Sequence, residues 1–343
     1  MMRVLVTGAT GRVGANLVKA LIGRGYKVRS MVMPGDPKER KLAGLDTEVV
    51  YADLRSAEAI ERAVDGVDAV IHTACVMARP KGMSKATYLD INVKGTMFLL
   101  EAAARRAEGI HRFVYMSSDA IYPAAYDPLY TPVDERHPKR PHDEYGMIKA
   151  LNEDMVLTYG REFGLKVTIV RPGAIAAADE ILHNWTAGLV AALFQRALRY
   201  KCGPLFIPEA EQVLEALRRK VGGDMGKAVI PYDPQGRPWL WHRTDVRDVV
   251  QGTICALEHD AAVGEDFNIL GPCAISFERA VKLLHDRLHV PYVEVEMPVR
   301  WVYECDNTKA KTQIGYRPEF DIDRMIEDAV AFRSGVDIGV LPP

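Results

Sequence analysis

The chain has little of what marks a stapled, fibrous or membrane protein. Only five cysteines occur among 343 residues, and Cys75, Cys202, Cys255, Cys273 and Cys305 lie far apart. No Cys-x-x-Cys and no Cys/His ligand spacing is present. Neither a disulfide framework nor a structural zinc site is expected, and no metal is assigned. No apolar run approaches the roughly 20 residues that cross a bilayer. The opening run Val4-Leu5-Val6 is ended by Thr7 and Gly8, too soon for a signal-peptide core. Neither sign of charge is in excess. Lys plus Arg number 44 and Asp plus Glu 46, a net −2. That excludes a general attraction to nucleic acid or to an anionic membrane. There is no internal repeat and no low-complexity tract. What remains is 48% hydrophobic and 26% charged, the balance of a globular protein. The expectation is a soluble, cytoplasmic protein of about two domains.

The first half alternates short apolar runs with helical patterns. Strands are expected at Arg3–Thr7, Lys27–Met33, Glu48–Tyr51, Ala69–His72, Arg112–Ser117 and Lys166–Arg171. Helices are expected at Gly14–Arg24, Ala57–Val64, Tyr88–Arg106 and Glu144–Phe163. Such alternation implies right-handed crossovers and a doubly wound parallel sheet, an α/β fold with its ligand crevice at the carboxyl ends of the strands. The alternation loosens after Arg171. Helical patterns follow at Trp185–Tyr200, Ala210–Arg219, Asp245–Glu258, Ser276–Leu288 and Ile322–Phe332, with strand patterns at Trp239–His242 and Tyr292–Met297. Five prolines between Tyr122 and Pro141 exclude regular structure there. That loop precedes the helix at Glu144, and it either walls a site or is a plain surface connection.

The first strand runs into Thr7-Gly8-Ala9-Thr10-Gly11-Arg12-Val13-Gly14. Glycines here allow a tight turn, close approach of a pyrophosphate, and close packing of helix on strand. The helix behind them offers free N–H groups to phosphate. The spacing is GxxGxxG, not GxGxxG. Its place after a strand and before an amphipathic helix points to a dinucleotide. Residues 1–175 are therefore read as a dinucleotide-binding Rossmann domain. Residues 176–343 are read as a smaller, mixed α/β and mainly substrate-binding lobe, with about 239–270 returning to the sheet. A carboxylate about 20 residues beyond the turn would favour NAD. The second strand has none, and Asp36 comes late, behind Pro34-Gly35. Arg12 or Arg29 could face a 2′-phosphate, so NAD and NADP both stay open.

Tyr145 and Lys149 are four residues apart on one expected helix and share a face. An ammonium beside a phenol stabilises phenolate and lowers the tyrosine pKa. Ser117-Ser118 ends the fifth strand, where the crevice is expected. A serine there can hydrogen-bond a reacting oxygen beside the tyrosine.

These segments together resemble the extended short-chain dehydrogenase/reductase superfamily, in its NAD-dependent epimerase/dehydratase branch. The matching stretches are the glycine turn, Ala52-Asp53-Leu54, His72-Thr73-Ala74, Asn92-Val93-Lys94-Gly95-Thr96, Ser117-Ser118-Asp119-Ala120-Ile121-Tyr122, Tyr145-Gly146-Met147-Ile148-Lys149 and Arg171-Pro172-Gly173. Weaker matches follow at Trp241–Val246 and Asp306–Ala310. The resemblance implies Tyr145 as general acid/base, Ser118 as its partner, and Lys149 also on the nicotinamide ribose. It implies a cofactor held by Gly8, Thr10, Gly11, Arg12, Val13, Gly14, Asp53, Leu54, Thr73, Ala74, Asn92 and Pro172 together with Tyr145 and Lys149. It also implies a homodimer through the helices of residues 88–106 and 144–163. His72 is read as a strand histidine rather than a catalyst.

Two departures matter. Dehydratases of the family carry Asp-Glu beside the catalytic hydroxyl, and here the pair is Asp119-Ala120, which ranks dehydration lower. Asp119 is either a spare acid or a turn residue. Many sugar-nucleotide members have Tyr-Gly-Pro after the sixth strand, where this chain has Gly173-Ala174-Ile175-Ala176. Arg237, His242 and Arg247 could still hold an anionic substrate, and Cys75 and Met77 could line the pocket. Three readings stand. The first is an epimerase-like enzyme on a sugar or sugar nucleotide. The second is an NAD(P)-dependent dehydrogenase or reductase on a free sugar, sugar acid or other secondary alcohol. The third is a non-catalytic dinucleotide sensor.

Overall fold

A computed structural model describes residues 1–343. Its centre is a seven-stranded sheet built from β1 (Arg3–Thr7), β2 (Lys27–Val32), β3 (Thr47–Tyr51), β4 (Ala69–His72), β5 (Arg112–Met116), β6 (Val167–Pro172) and a late strand, Asp266–Ile269. The order across the sheet is Asp266–Ile269, β6, β5, β4, β1, β2, β3. Every neighbouring pair is parallel. Strand order reverses between β1 and β4, and a crevice opens at that switch point. All residues of β4, β5 and β6 are buried. That is why these strands read as near-continuous apolar runs, broken by His72, Arg112, Thr168 and Arg171, rather than alternating ones.

Helices α1 (Arg12–Gly23) and α2 (Ala57–Val64) follow β1 and β3. The single helix expected at Tyr88–Arg106 is corrected. It begins earlier, as α3 (Lys85–Leu89), passes through a π-helical turn at Asp90–Lys94, and continues as α4 (Gly95–Ala104). Contacts from outside the helix accompany the wider turn. The Asn92 side chain accepts from Val76 N–H at 2.9 Å and donates to the Val76 carbonyl at 3.2 Å. The Asn92 carbonyl accepts from Asn152 Nδ2 at 2.8 Å and from Thr96 Oγ1 at 2.7 Å. Such turns recur at functional sites.

Helix α5 (Glu144–Phe163) is capped by Asp143, which accepts from Gly146 N–H at 2.8 Å, and ends at Gly164 in the left-handed region. Tyr145, Lys149 and Glu153 follow one another at successive turns of one face. Glu153 is buried completely and takes both arms of the buried Arg171 guanidinium from β6, each at 2.8 Å. Arg171 also donates to Tyr122 Oη at 2.6 Å and pairs with Asp266. Gly146 permits the close docking of α5, because a Cβ there would stand 2.2 Å from the Ala120 carbonyl oxygen.

The second half packs α6 (Ala187–Tyr200) and later helices around buried Trp185, Phe194, Trp239, Phe277 and Trp301. The strand expected at Trp239–His242 is shorter, Leu240–Trp241, and joins a small sheet with Ile275–Ser276 and Val302–Tyr303 rather than the main one. In the 239–270 stretch, Asp266–Ile269 enters the main sheet beside β6. Tyr292–Glu296 pairs in parallel with Ala228–Tyr232. The sequence reading has no strand at Ala228–Tyr232, whose five residues include Pro231 and carry no alternation. The proline-rich loop is tied down at Val133, which bonds the Glu304 carbonyl and Asp306 N–H at 3.0 and 2.8 Å. No helix is long and apolar enough to cross a membrane.

The Glu153–Arg171 pair gives a direct test of how α5 is held. Breaking a buried pair leaves one charge uncompensated, so Glu153→Leu and Arg171→Met are each expected to cost about 3 kcal/mol in urea unfolding. The double variant is expected to lose less than the two single losses combined. Simple additivity would show that the two side chains act independently.

Candidate active site

One cavity of about 860 Å³ runs from the glycine turn to the small sheets. At its first end the glycines are sterically required. Gly8 has φ +66°, and a Cβ on it would stand 2.8 Å from Ala74 Cα. A Cβ on Gly14 would stand 2.0 Å from the Gly8 carbonyl oxygen. Gly11 caps α1 without any side-chain bond. The first-turn N–H groups of the helix are thus left for an anion, which fits a pyrophosphate.

Gly8, Thr10, Gly11, Arg12, Val13, Gly14, Asp53, Leu54, Thr73, Ala74 and Pro172 all line this cavity. Asn92 does not. Its amide is committed at both ends to Val76, so it fixes the loop over the cavity instead of facing it. Arg12 faces the cavity but pairs with Glu180 at 2.6 Å. Arg29 is turned away, onto the Ala63 and Asp65 carbonyls at 3.0 and 2.5 Å. Asp53 is held by Arg55, whose hydrogen bonds keep its carboxyl below the usual range. Asp36, beyond the second strand, lines the cavity, accepts from Thr10 Oγ1 at 2.5 Å and caps Lys38 N–H at 3.0 Å. The Pro34-Gly35 bend, with Gly35 at φ +78°, precedes it.

Ser118, Tyr145 and Lys149 converge at the middle of the cavity. Lys149 Nζ donates to the Met116 carbonyl at 2.6 Å and lies 5.0 Å above the Tyr115 ring and 5.7 Å from that of Tyr145. Burial lowers its pKa, and Cys75 and Glu153 oppose that shift. Tyr145 departs from expectation. Enclosure dominates and pushes the phenol up, while the Ser118 hydroxyl pulls it down. Ser118 caps the short turn Asp119–Ile121 and accepts from Ala120 N–H at 3.1 Å. His72 lies behind the site. Its ring bonds Thr7 Oγ1 at 2.7 Å and Thr96 Oγ1 at 3.0 Å, and burial lowers its pKa to about 3, so the ring is neutral. A phenol, a hydroxyl and an ammonium so grouped can move a proton to or from a bound oxygen.

The far end of the cavity is walled by Trp241, Trp301 and Tyr303, by Leu189 and Leu193 of α6, and by Ala125 and Tyr126. The last two come from the proline-rich loop, which is thus a wall and not a plain connection. Trp301 is fixed by donating Nε1–H to the Ala125 carbonyl at 2.8 Å. Cys75 and Met77 also line the cavity. Arg237, His242 and Arg247 do not. Arg237 bonds Asp233 at 2.7 Å, His242 bonds the Gly271 carbonyl at 3.1 Å, and Arg247 is held between Asp245 and Asp328. No cluster of His, Cys, Asp or Glu could hold a metal ion. The aromatic wall was missed because an isolated Trp241 or Trp301 reads as core.

Asp36 yields the test of the dinucleotide end. Asp36→Ala is expected to weaken NAD binding about tenfold and to narrow any preference over NADP, read by calorimetric titration. Asp53→Ala is expected to change little, because its carboxylate is already held by Arg55.

The model of the NAD-dependent epimerase/dehydratase family matches residues 4–269. Sterol demethylase protein B of Methylococcus capsulatus is 40% identical over 178 residues, 51% of this chain and 52% of that protein. UDP-glucose 4-epimerase 4 of Oryza sativa subsp. japonica is 32% identical over 164 residues, 44% and 43% of the two chains. The chain spans about half the length of the first of these relatives. A short-chain dehydrogenase/reductase superfamily protein from Agrobacterium tumefaciens, solved with bound NAD, superposes with a TM-score of 0.78 at 29% identity over 97% of both chains. The match over residues 4–269, on a chain that carries the glycine turn and the Ser118, Tyr145 and Lys149 cluster, establishes that it belongs to the NAD-dependent epimerase/dehydratase family.

Proposed function

We propose that the protein is an NAD-dependent dehydrogenase or reductase that moves a hydride at a secondary alcohol or ketone borne on a largely apolar body. The observation that carries this reading is the far wall of the cavity, made of Trp241, Trp301, Tyr303, Leu189 and Leu193. A nucleotide-diphosphate substrate needs cationic partners for two phosphates. Arg237, His242 and Arg247 are all bonded elsewhere. Arg196, at the rim, donates to Tyr126 Oη at 3.1 Å. The epimerase reading on a sugar nucleotide is therefore the weaker one, although a relative carries that name.

In this reading the glycine turn and the start of α1 hold the pyrophosphate, Asp36 reads the adenosine ribose, and Lys149 binds the nicotinamide ribose. Bound NAD supplies the hydride acceptor and, when oxidised, a positive ring. Tyr145 takes the hydroxyl proton in oxidation and returns it in reduction. Ser118 holds the reacting oxygen beside the phenol. Lys149 counters the burial that disfavours phenolate. The protein is further proposed to be a homodimer through α4 and α5, where Leu151 and Phe163 are 49% and 52% exposed; a monomer mass by light scattering would refute that.

Tyr145→Phe is expected to lower kcat/KM by about 10²- to 10⁴-fold with NAD binding unchanged. Stoichiometric NADH formation from a 3β-hydroxysteroid, an apolar secondary alcohol chosen because 3-beta-hydroxysteroid dehydrogenase of Mycolicibacterium neoaurum is 32% identical over 207 residues, is the expected wild-type result. Conversion of UDP-glucose with no net change in reduced-nicotinamide absorbance would overturn the reading in favour of epimerisation.

A further inference from the structure

The far half of the cavity is not apolar throughout. Leu189, Leu193 and Arg196 fall at i, i+4 and i+7 on α6, share one face, and all three line the cavity. The wall is apolar at two successive turns of this helix and cationic at the next. Arg196 has one side-chain hydrogen bond, from Nη1 to Tyr126 Oη at 3.1 Å. Arg12, Arg55, Arg237 and Arg247 are each held by a carboxylate, but Arg196 enters no ion pair. Its bond to a phenol leaves the charge uncompensated. Of the five N–H donors in a guanidinium, four stay free.

Tyr126 is built in beside it. The turn that follows α6 docks on this residue: Gly203 has φ +80°, and a Cβ there would stand 1.9 Å from the Tyr126 carbonyl oxygen. The Tyr126 ring lies edge-to-face with His142 at 5.1 Å and with Tyr200 at 5.7 Å, and those two stack on each other at 5.5 Å. Burial raises the phenol pKa more than Arg196 lowers it, so the phenol keeps its proton. Tyr126 Oη accepts from Arg196, and no protein acceptor takes that proton. Burial lowers the His142 pKa, which leaves its ring uncharged near neutrality. Arg196 is thus the cation of this wall, with a hydroxyl donor fixed next to it.

We propose that Arg196 and Tyr126 form a carboxylate subsite, so that the substrate is an amphipathic secondary alcohol with an apolar body along Leu189, Leu193, Trp241 and Trp301 and one carboxylate at the end away from the carbinol. One carboxylate oxygen accepts from the guanidinium and the other from Tyr126 Oη–H. Hydrogen bonds to an ionised acceptor are stronger than neutral ones. One guanidinium and one hydroxyl match a single monoanion, whereas two phosphates need more cations than this wall holds. The acids that line the same half are occupied: Asp143 caps α5 through Gly146 N–H at 2.8 Å, and Asp119 accepts from Ser118 at 3.0 Å. The subsite does no chemistry; in oxidation the hydroxyl proton still passes to Tyr145 and the hydride to NAD. The inference rests on the reading of an apolar secondary alcohol given above, and names the group at its other end.

The test uses the full-length enzyme with NAD and two probes, a 3β-hydroxysteroid whose side chain ends in a carboxylate and the methyl ester of the same compound. The wild type is expected to favour the acid about tenfold in kcat/KM. The gain is expected in KM with kcat alike, because the carboxylate lies away from the reacting carbon. Arg196→Gln and Tyr126→Phe are each expected to shrink the acid-to-ester ratio, and Arg196→Lys to keep part of it. Added salt is expected to shrink the ratio in the wild type. A wild type that treats acid and ester alike, or an Arg196→Gln that keeps the full preference, overturns the inference. The 3-keto acid and its ester, titrated calorimetrically into the enzyme–NAD complex, read the subsite where no hydride is available. The same tenfold difference in Kd is expected, lost in Arg196→Gln. If that holds and neither hydroxysteroid is oxidised, the hydride-transfer reading fails and the subsite stands. If both are oxidised with equal kcat/KM, that reading stands and the subsite fails. Binding that does not distinguish acid from ester overturns the inference whether or not oxidation is seen.

Discussion

Arg171 and Glu153 meet two-armed and fully buried, β6 against α5. Removing two charges from water costs several kcal/mol per ion, and only excellent geometry with further hydrogen bonds offsets it. Here Tyr122, Asp266 and Lys139 complete the set. The consequence is rotational. With Glu153 fixed, Lys149 and Tyr145, one and two turns earlier on the same face, must point across the ends of β5 and β6. Gly146 lets that face approach the Ser118–Ile121 turn more closely than any other residue would allow. The active-site grouping thus depends on a pair of charges that line no part of the cavity.

The electrostatics of the grouping follow from the same enclosure. Lys149 is buried among aromatic rings and one carbonyl, so its cationic form is disfavoured, and Glu153 supports it from one turn away. Tyr145 is pushed up by the same burial. A Tyr-x-x-x-Lys spacing alone suggests a lowered tyrosine pKa. In the folded chain desolvation of the phenol outweighs the Ser118 hydrogen bond that lowers it, and the Lys149 ammonium is directed at the Met116 carbonyl. In the proposed reaction, an oxidised nicotinamide held at this end of the cavity would supply positive charge that favours the Tyr145 phenolate.

The glycine turn, the parallel sheet and the Ser118, Tyr145 and Lys149 cluster were legible because the sequence signal for each part is local. The glycines are required by contacts within residues 8–14 and with Ala74, and the tyrosine and lysine share a face by helical period alone. Three features were not legible. The resemblance puts Asn92 on the cofactor, because nothing in the patternless loop around Val76 shows that its amide is committed there. Asp36 reads as too late, because the Pro34-Gly35 bend brings it back to Thr10. Trp241 and Trp301 read as core, since only the arrangement of the small sheet decides which aromatic residues face a cavity. The basic residues of the second half misled for the same reason. A sequence displays Arg237 and Arg247 but not Asp233 and Asp328 folded against them.

Those diverted cations bear on chemistry. In the proposed reaction, the cofactor end of the cavity and Tyr145 would constrain the reacting carbon and leave the rest of the substrate to the opposite wall. Phosphates placed against Trp241, Trp301 and Leu193 would lose hydration without gaining donors, a cost of several kcal/mol that an apolar body does not meet. The same end of the cavity holds Asp119, whose Oδ2 sits beside the Tyr303 hydroxyl in the space left by Gly173. Apolar enclosure therefore does two things at once. It selects what can sit beyond the reacting carbon, and it holds a carboxyl beside Ser118 near the point where its proton is easily gained or lost.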